Sequence, residues 1–91
     1  MTRQMSPERE QLIMSHPLRR WRDREGLSRL QMSRRRGSGF GPDILVKWEH
    51  WERFPSANNQ ASLRRVIGSQ ADDILDEWRR EFDKTKERLQ A

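Results

Sequence analysis

The sequence predicts an all-α fold of five helices, the last long and amphipathic, with a short helix leading them. Three observations predict it. Apolar residues recur at three- and four-residue steps; Ser, Pro and Gly stand where helices start and stop; and no stretch alternates apolar and polar residues as a half-buried strand does.

Ser6, Pro7 and Glu8 read as an N-cap, a first-turn proline and an acid suited to the helix dipole, so a leading arm or short helix is expected over 1–14. His16-Pro17 restarts the chain, because a residue before proline avoids the helical region. Leu18, Trp21 and the stem of Arg22 give the next helix an inward face, and Gly26 stops it. Ser28 caps a further helix, expected to turn Leu30, Met32 and Ser33 inward and to run to Gly37. Gly37 to Pro42 is the most turn-rich stretch, with Phe40 as its core plug. Pro42 then opens a helix through Glu49 in which Leu45 and Trp48 face inward together. Phe54-Pro55-Ser56 leads to a helix with Leu63, Val66 and Ile67 inside, ended by Gly68. The expected core is Leu18, Trp21, Leu27, Met32, Phe40, Leu45, Trp48, Leu63, Val66 and Ile67.

Over 71–91, Ala71, Leu75, Trp78, Phe82, Thr85 and Leu89 recur at alternating steps of four and three, which is heptad spacing. One long helix follows from it. Its stripe either packs back on its own domain or meets a second copy, and Leu75, Trp78, Phe82 and Leu89 are the candidate dimerisation residues. The expected organisation is thus an N-terminal arm over 1–14, a central domain over 15–70 and a C-terminal helix over 71–91.

Composition bounds the function. With 91 residues, 32% of them hydrophobic, one small core is expected and no separate catalytic or sensing domain. No apolar run approaches the roughly 20 residues of a membrane span, and Met1 to Met14 lacks a signal-like stretch, so a cytoplasmic location in a bacterial or phage-infected cell is expected. Without cysteine, and with only His16 and His50 far apart, no metal site, redox chemistry or cofactor is expected. Ser38-Gly39-Phe40-Gly41 lacks the Lys-Ser/Thr and the preceding strand of a phosphate loop, and no nucleophile stands with a base, so neither catalysis nor a small-molecule substrate is expected.

The net charge of +5 sits unevenly along the chain. Residues 1–54 hold 12 basic against 7 acidic side chains, whereas residues 55–91 hold 7 of each. His16 to Arg36 alone contains eight arginines, a concentration that attracts polyanions.

Two short helices around a glycine-bearing turn, followed by two more, have the layout of a helix-turn-helix domain. Leu18-Arg19-Arg20-Trp21-Arg22-Asp23-Arg24-Glu25-Gly26-Leu27-Ser28, Lys47-Trp48-Glu49-His50-Trp51-Glu52-Arg53-Phe54-Pro55-Ser56 and Gly68-Ser69-Gln70-Ala71-Asp72-Asp73-Ile74-Leu75 together resemble the lambda repressor and Cro-like, or xenobiotic-response-element, family. The middle run is similar to that family's W-E-x-G-x-x-x-P-S stretch. Trp51 stands where the family has glycine, which predicts a longer recognition helix, and the turn from Gly37 to Gly41 is about two residues longer than usual.

What the resemblance implies is a sequence-specific transcriptional regulator of double-stranded DNA, a repressor more than an activator, acting as a homodimer. Asp43, Ile44, Val46 and Lys47 become the base-reading candidates; Asp43 would accept from a cytosine amino group, and Ile44 or Val46 would meet thymine methyls. Arg29, Arg34, Arg35, Arg36, His50 and Arg53 become the phosphate candidates. The alternative is a helical protein-interaction module, an inhibitor or adaptor of phage type, that keeps the fold without base reading.

Overall fold

A computed structural model describes residues 7–90, which form six helices and, among the described residues, no strand. They are α1 (Pro7–Met14), α2 (Pro17–Arg24), α3 (Arg29–Ser33), α4 (Pro42–Glu49), α5 (Ala57–Ile67) and α6 (Ala71–Gln90). Ser6, the expected cap of α1, and Ala91 lie outside the described residues.

Each start follows from local chemistry. At α2, His16 is the N-cap: its Nδ1 accepts from the Leu18 N–H at 3.0 Å, and Pro17 occupies the first turn, where an N–H would go unused. Ser28 builds a capping box on α3, accepting from the Gln31 N–H while Gln31 Oε1 accepts from the Ser28 N–H. Ser56 caps α5 through the Asn59 N–H.

The ends differ in two places from expectation. α3 closes at Ser33, well before Gly37, and its five residues bury Met32 but leave Leu30 46% exposed. Residues two apart on a helix point about 200° apart, so a helix this short buries one row and turns the other outward. α4 stops at Glu49 and does not run on through Trp51. The Trp51 N–H donates to the Trp48 carbonyl and the Glu52 N–H to the Lys47 carbonyl, both at 3.0 Å, with Trp51 itself at φ 62°. That is the glycine-type helix ending made with a tryptophan.

The core is aromatic. Trp21, Trp48 and Trp78 are fully buried with Leu18, Met32, Leu45, Leu63 and Leu75, and the expected Phe40 and Val66 join them. Leu27 and Ile67, expected inside, are half-buried at its edge. Trp78 is the hub, meeting Trp48 at 6.0 Å, Phe54 at 5.2 Å and His16 at 4.5 Å between ring centroids. α6 packs on α2 and α5, α3 on α4, and α1 on α2. α1 buries only Ile13 and is held from behind by the Trp51 indole N–H, which donates to the Leu12 carbonyl at 2.7 Å.

The heptad stripe of α6 is therefore used within the chain. Leu75 and Trp78 are 2% and 0% exposed, and Phe82 and Leu89 pack on the same core while half-covered. Leu75 and Trp78, two of the four candidate dimerisation residues, thus pack within their own chain. No helix is long and apolar enough to cross a membrane among the described residues.

Candidate nucleic-acid interface

The arginine-dense segment divides sharply once folded. Arg19 pairs with Asp23 at 3.1 Å, Arg20 with Glu77, and Arg24 reaches Gln70 at 3.4 Å. Arg22 and Arg29 both turn to Glu49. Arg34, Arg35 and Arg36 alone in the segment are exposed with guanidinium groups that have no hydrogen-bonded or ion-paired partner among the described residues.

Glu49 is 0% exposed and takes charge from two helices at once. Arg22 grips it bidentately, Nε to Oε2 and Nη2 to Oε1, both at 2.8 Å, and its Nη1 donates to the Leu27 carbonyl at 2.9 Å. The hydrogen bond to Glu49 raises the Arg22 pKa further, so this guanidinium stays charged although buried. Arg29 adds Nε and Nη2 to Oε1 at 3.2 and 3.1 Å. One carboxylate thereby ties α2, α3 and α4 together. Arg29 is only partly available to a phosphate, because its fork is already engaged.

His50 caps the C-terminus of α4 and is half-buried. Burial first, then the Arg29 charge, lowers its pKa, so at neutral pH it brings a neutral imidazole and no charge toward a phosphate. Arg53 lies exposed in the following loop, again without a partner among the described residues.

The turn after α3 is built to hold a fixed shape. Ser38 donates from Oγ to the Ser33 carbonyl at 2.5 Å and from N–H to the Arg35 carbonyl at 3.1 Å. Gly37 and Gly39 adopt φ 83° and 66°, which side-chain-bearing residues rarely tolerate. Phe40 then enters the core against Trp48, with ring centroids 5.3 Å apart. From α5, Arg65 Nε donates to the Gly37 carbonyl at 3.1 Å and Arg65 Nη2 to Ser62 Oγ at 2.9 Å.

On α4, Asp43 and Lys47 are exposed one turn apart, and Val46 is half-exposed beside Lys47. Ile44 instead packs against the core, which leaves it poorly placed to reach a thymine methyl. The structure thus puts Asp43, Val46 and Lys47 on the helix that follows the arginine turn. Two residues important to this arrangement escaped the sequence reading. Arg22 entered it only as an aliphatic stem, although an acid at Glu49 in the inward row of Leu45 and Trp48 calls for a buried cation; nothing in the sequence pairs Arg65 with Gly37.

Comparison with protein-family models, curated proteins and solved structures finds no match to this chain. The repressor-like resemblance accordingly rests on the quoted residues alone.

Proposed function

We propose that the chain binds duplex DNA as a helix-turn-helix regulator of transcription, a repressor more than an activator, with α3, the turn over residues 34–41 and α4 as the binding unit. The observation that carries this reading is the contrast within the arginine segment. Five arginines are committed to the chain's own groups, while Arg34, Arg35 and Arg36 are exposed in the turn between α3 and α4. Guanidinium groups on a rigid turn match phosphate oxygens, whose contacts fix register without reading sequence. Asp43 and Lys47, with complementary hydrogen-bonding character, are the groups offered to base edges, accepting from cytosine and donating to guanine.

One such unit spans few base pairs, so two copies on neighbouring half-sites are part of the reading. Of the heptad residues, only the half-covered Phe82 and Leu89 are left to serve a pair. Selection from a random duplex pool tests the function: an enriched inverted repeat supports it. No enrichment favours a protein-interaction module, which Asp43 at the start of α4 and the exposed Leu30 on α3 also suit.

A further inference from the structure

We propose that Arg65 on α5 is the positioning residue of the arginine turn, holding Arg34, Arg35 and Arg36 in register for the polyanionic backbone without itself contacting it. The proposal rests on the duplex-binding reading above and deepens it. Arg65 donates Nε–H to the Gly37 carbonyl at 3.1 Å, directly after Arg36, and Nη2–H to Ser62 Oγ at 2.9 Å. The second bond fixes the first. Ser62 is buried and accepts from Arg65 while its own hydroxyl donates to the Asn58 carbonyl at 3.3 Å, so the exposed Arg65 is tied at one end to a buried, hydrogen-bonded side chain and at the other to the turn.

Gly37 is shaped to receive it. A Cβ built there would lie 3.2 Å from Arg65 Nε, 3.3 Å from its Cδ and 3.4 Å from its Cβ, and the residue sits at φ 83°. The turn and the α5 side chain are thus packed closely against each other at a glycine, where a Cβ would crowd the contact. Gly39 repeats the approach more loosely, with Ser62 Oγ 3.7 Å from its would-be Cβ. Three adjacent arginines on a free loop would each lose conformational freedom on meeting phosphate, whereas a turn already docked on a helix has lost part of it in folding. The geometry requires an N–H on the δ-side of the charged group. Lysine keeps the charge of arginine but has no Nε–H and no planar fork, so it cannot make the same pair of bonds.

That difference gives the test. Anisotropy of a labelled mixed-sequence duplex, titrated with the full chain at several salt concentrations, is compared for wild type, R65A, R65K, G37A, the R65A/G37A double variant and R34A/R35A/R36A, with folding of each verified by circular dichroism at the same temperature. Positioning predicts that R65A and R65K weaken binding alike, by about three- to tenfold, with the wild-type salt slope retained. G37A does the same from the other side of the contact, and the double variant is no weaker than the worse single one. A direct phosphate contact predicts instead that R65K binds as wild type while R65A loses about one unit of salt slope; that result overturns the proposal. If R34A/R35A/R36A itself binds as wild type, the duplex-binding reading fails and positioning for a backbone fails with it. Nitrogen-15 relaxation at Gly37 and Ser38 separates the two failures: mobility unchanged in R65A shows that Arg65 does not hold the turn, and mobility increased shows that it holds a turn with another purpose.

Discussion

Trp51 occupies a left-handed backbone conformation at φ 62° that costs a side-chain-bearing residue roughly 1–2 kcal/mol, and it is kept because the indole is needed where that conformation points it. The ring is 4% exposed, lies 4.4 Å from the His16 ring centroid and gives its N–H to Leu12. Replacing it by glycine relieves the strain but removes a buried aromatic, a loss of about 3–5 kcal/mol for such rings. Trp51→Gly is therefore expected to be destabilised in urea denaturation despite its better helix ending, and Trp51→Ala to be worse than Trp51→Gly by about 1 kcal/mol, because alanine keeps the strain without the ring. Equal stability of the two variants would show that the backbone is not strained there. Glu49 acts by a different physics. Glu49→Ala leaves the buried Arg22 without its counter-charge and should cost about 3–5 kcal/mol, the penalty of an uncompensated buried ion, measured as a fall in denaturation midpoint.

At the scale of elements, α2 depends on an imidazole as its cap. His16 accepts through Nδ1, so its hydrogen is on Nε2, which has no hydrogen-bond partner among the described residues and lies in a pocket shared with Trp51 and Trp78. Burial, reinforced by the Arg20 charge and, once it is protonated, by His50, lowers its pKa from 6.5 to about 3. Because the folded pKa lies below the unfolded one, the unfolded chain takes up the proton first as pH falls. The contribution of neutral His16 to stability is complete above pH 6.5 and is lost progressively toward pH 3, at about 1.4 kcal/mol per pH unit for this one group. His16→Asn keeps a capping acceptor and removes the titration. Urea midpoints measured from pH 7 to pH 3 should therefore fall more steeply for the wild type than for His16→Asn; parallel curves would contradict the assignment.

Much of this level was legible in the residues. Pro17, Ser28, Pro42 and Ser56 mark helix starts, and Gly26 and Gly68 mark ends, because proline geometry and short polar caps act within a single turn. What was illegible depended on contacts between elements. The inward turn of Arg29 and the tryptophan in a glycine's place are each decided by a partner distant in sequence: Glu49 for Arg29, and Leu12 for Trp51. The candidate site shows the same division. The arginine run and the turn chemistry were readable, whereas the capture of Arg29 by Glu49 and the packing of Ile44 on the core were not.

Across the whole molecule, α6 is structural before it is anything else. Trp78 touches Trp48, Phe54 and His16 and thus joins α4, the loop after it and the start of α2. A chain ending at Glu77 loses that indole together with half-buried Phe82 and buried Thr85. Its expected behaviour is loss of the helical signal, well beyond a change from dimer to monomer, because the missing tryptophan alone is worth about 3–5 kcal/mol in a domain whose whole stability is of order 5–15 kcal/mol. A folded, cooperatively melting product would show that α6 is an appendage.

The distribution of arginines is the central claim, since it separates charges that hold the fold from charges left for a polyanion. The most direct measurement is the dependence of duplex affinity on salt for the wild type and for R34A/R35A/R36A. Loss of contacts made by three guanidinium groups should flatten the slope of log affinity against log salt by about 2–3 units and weaken binding at low salt, with the circular dichroism spectrum unchanged. A wild-type slope near zero, or a triple variant that keeps the wild-type slope and affinity, would contradict the account.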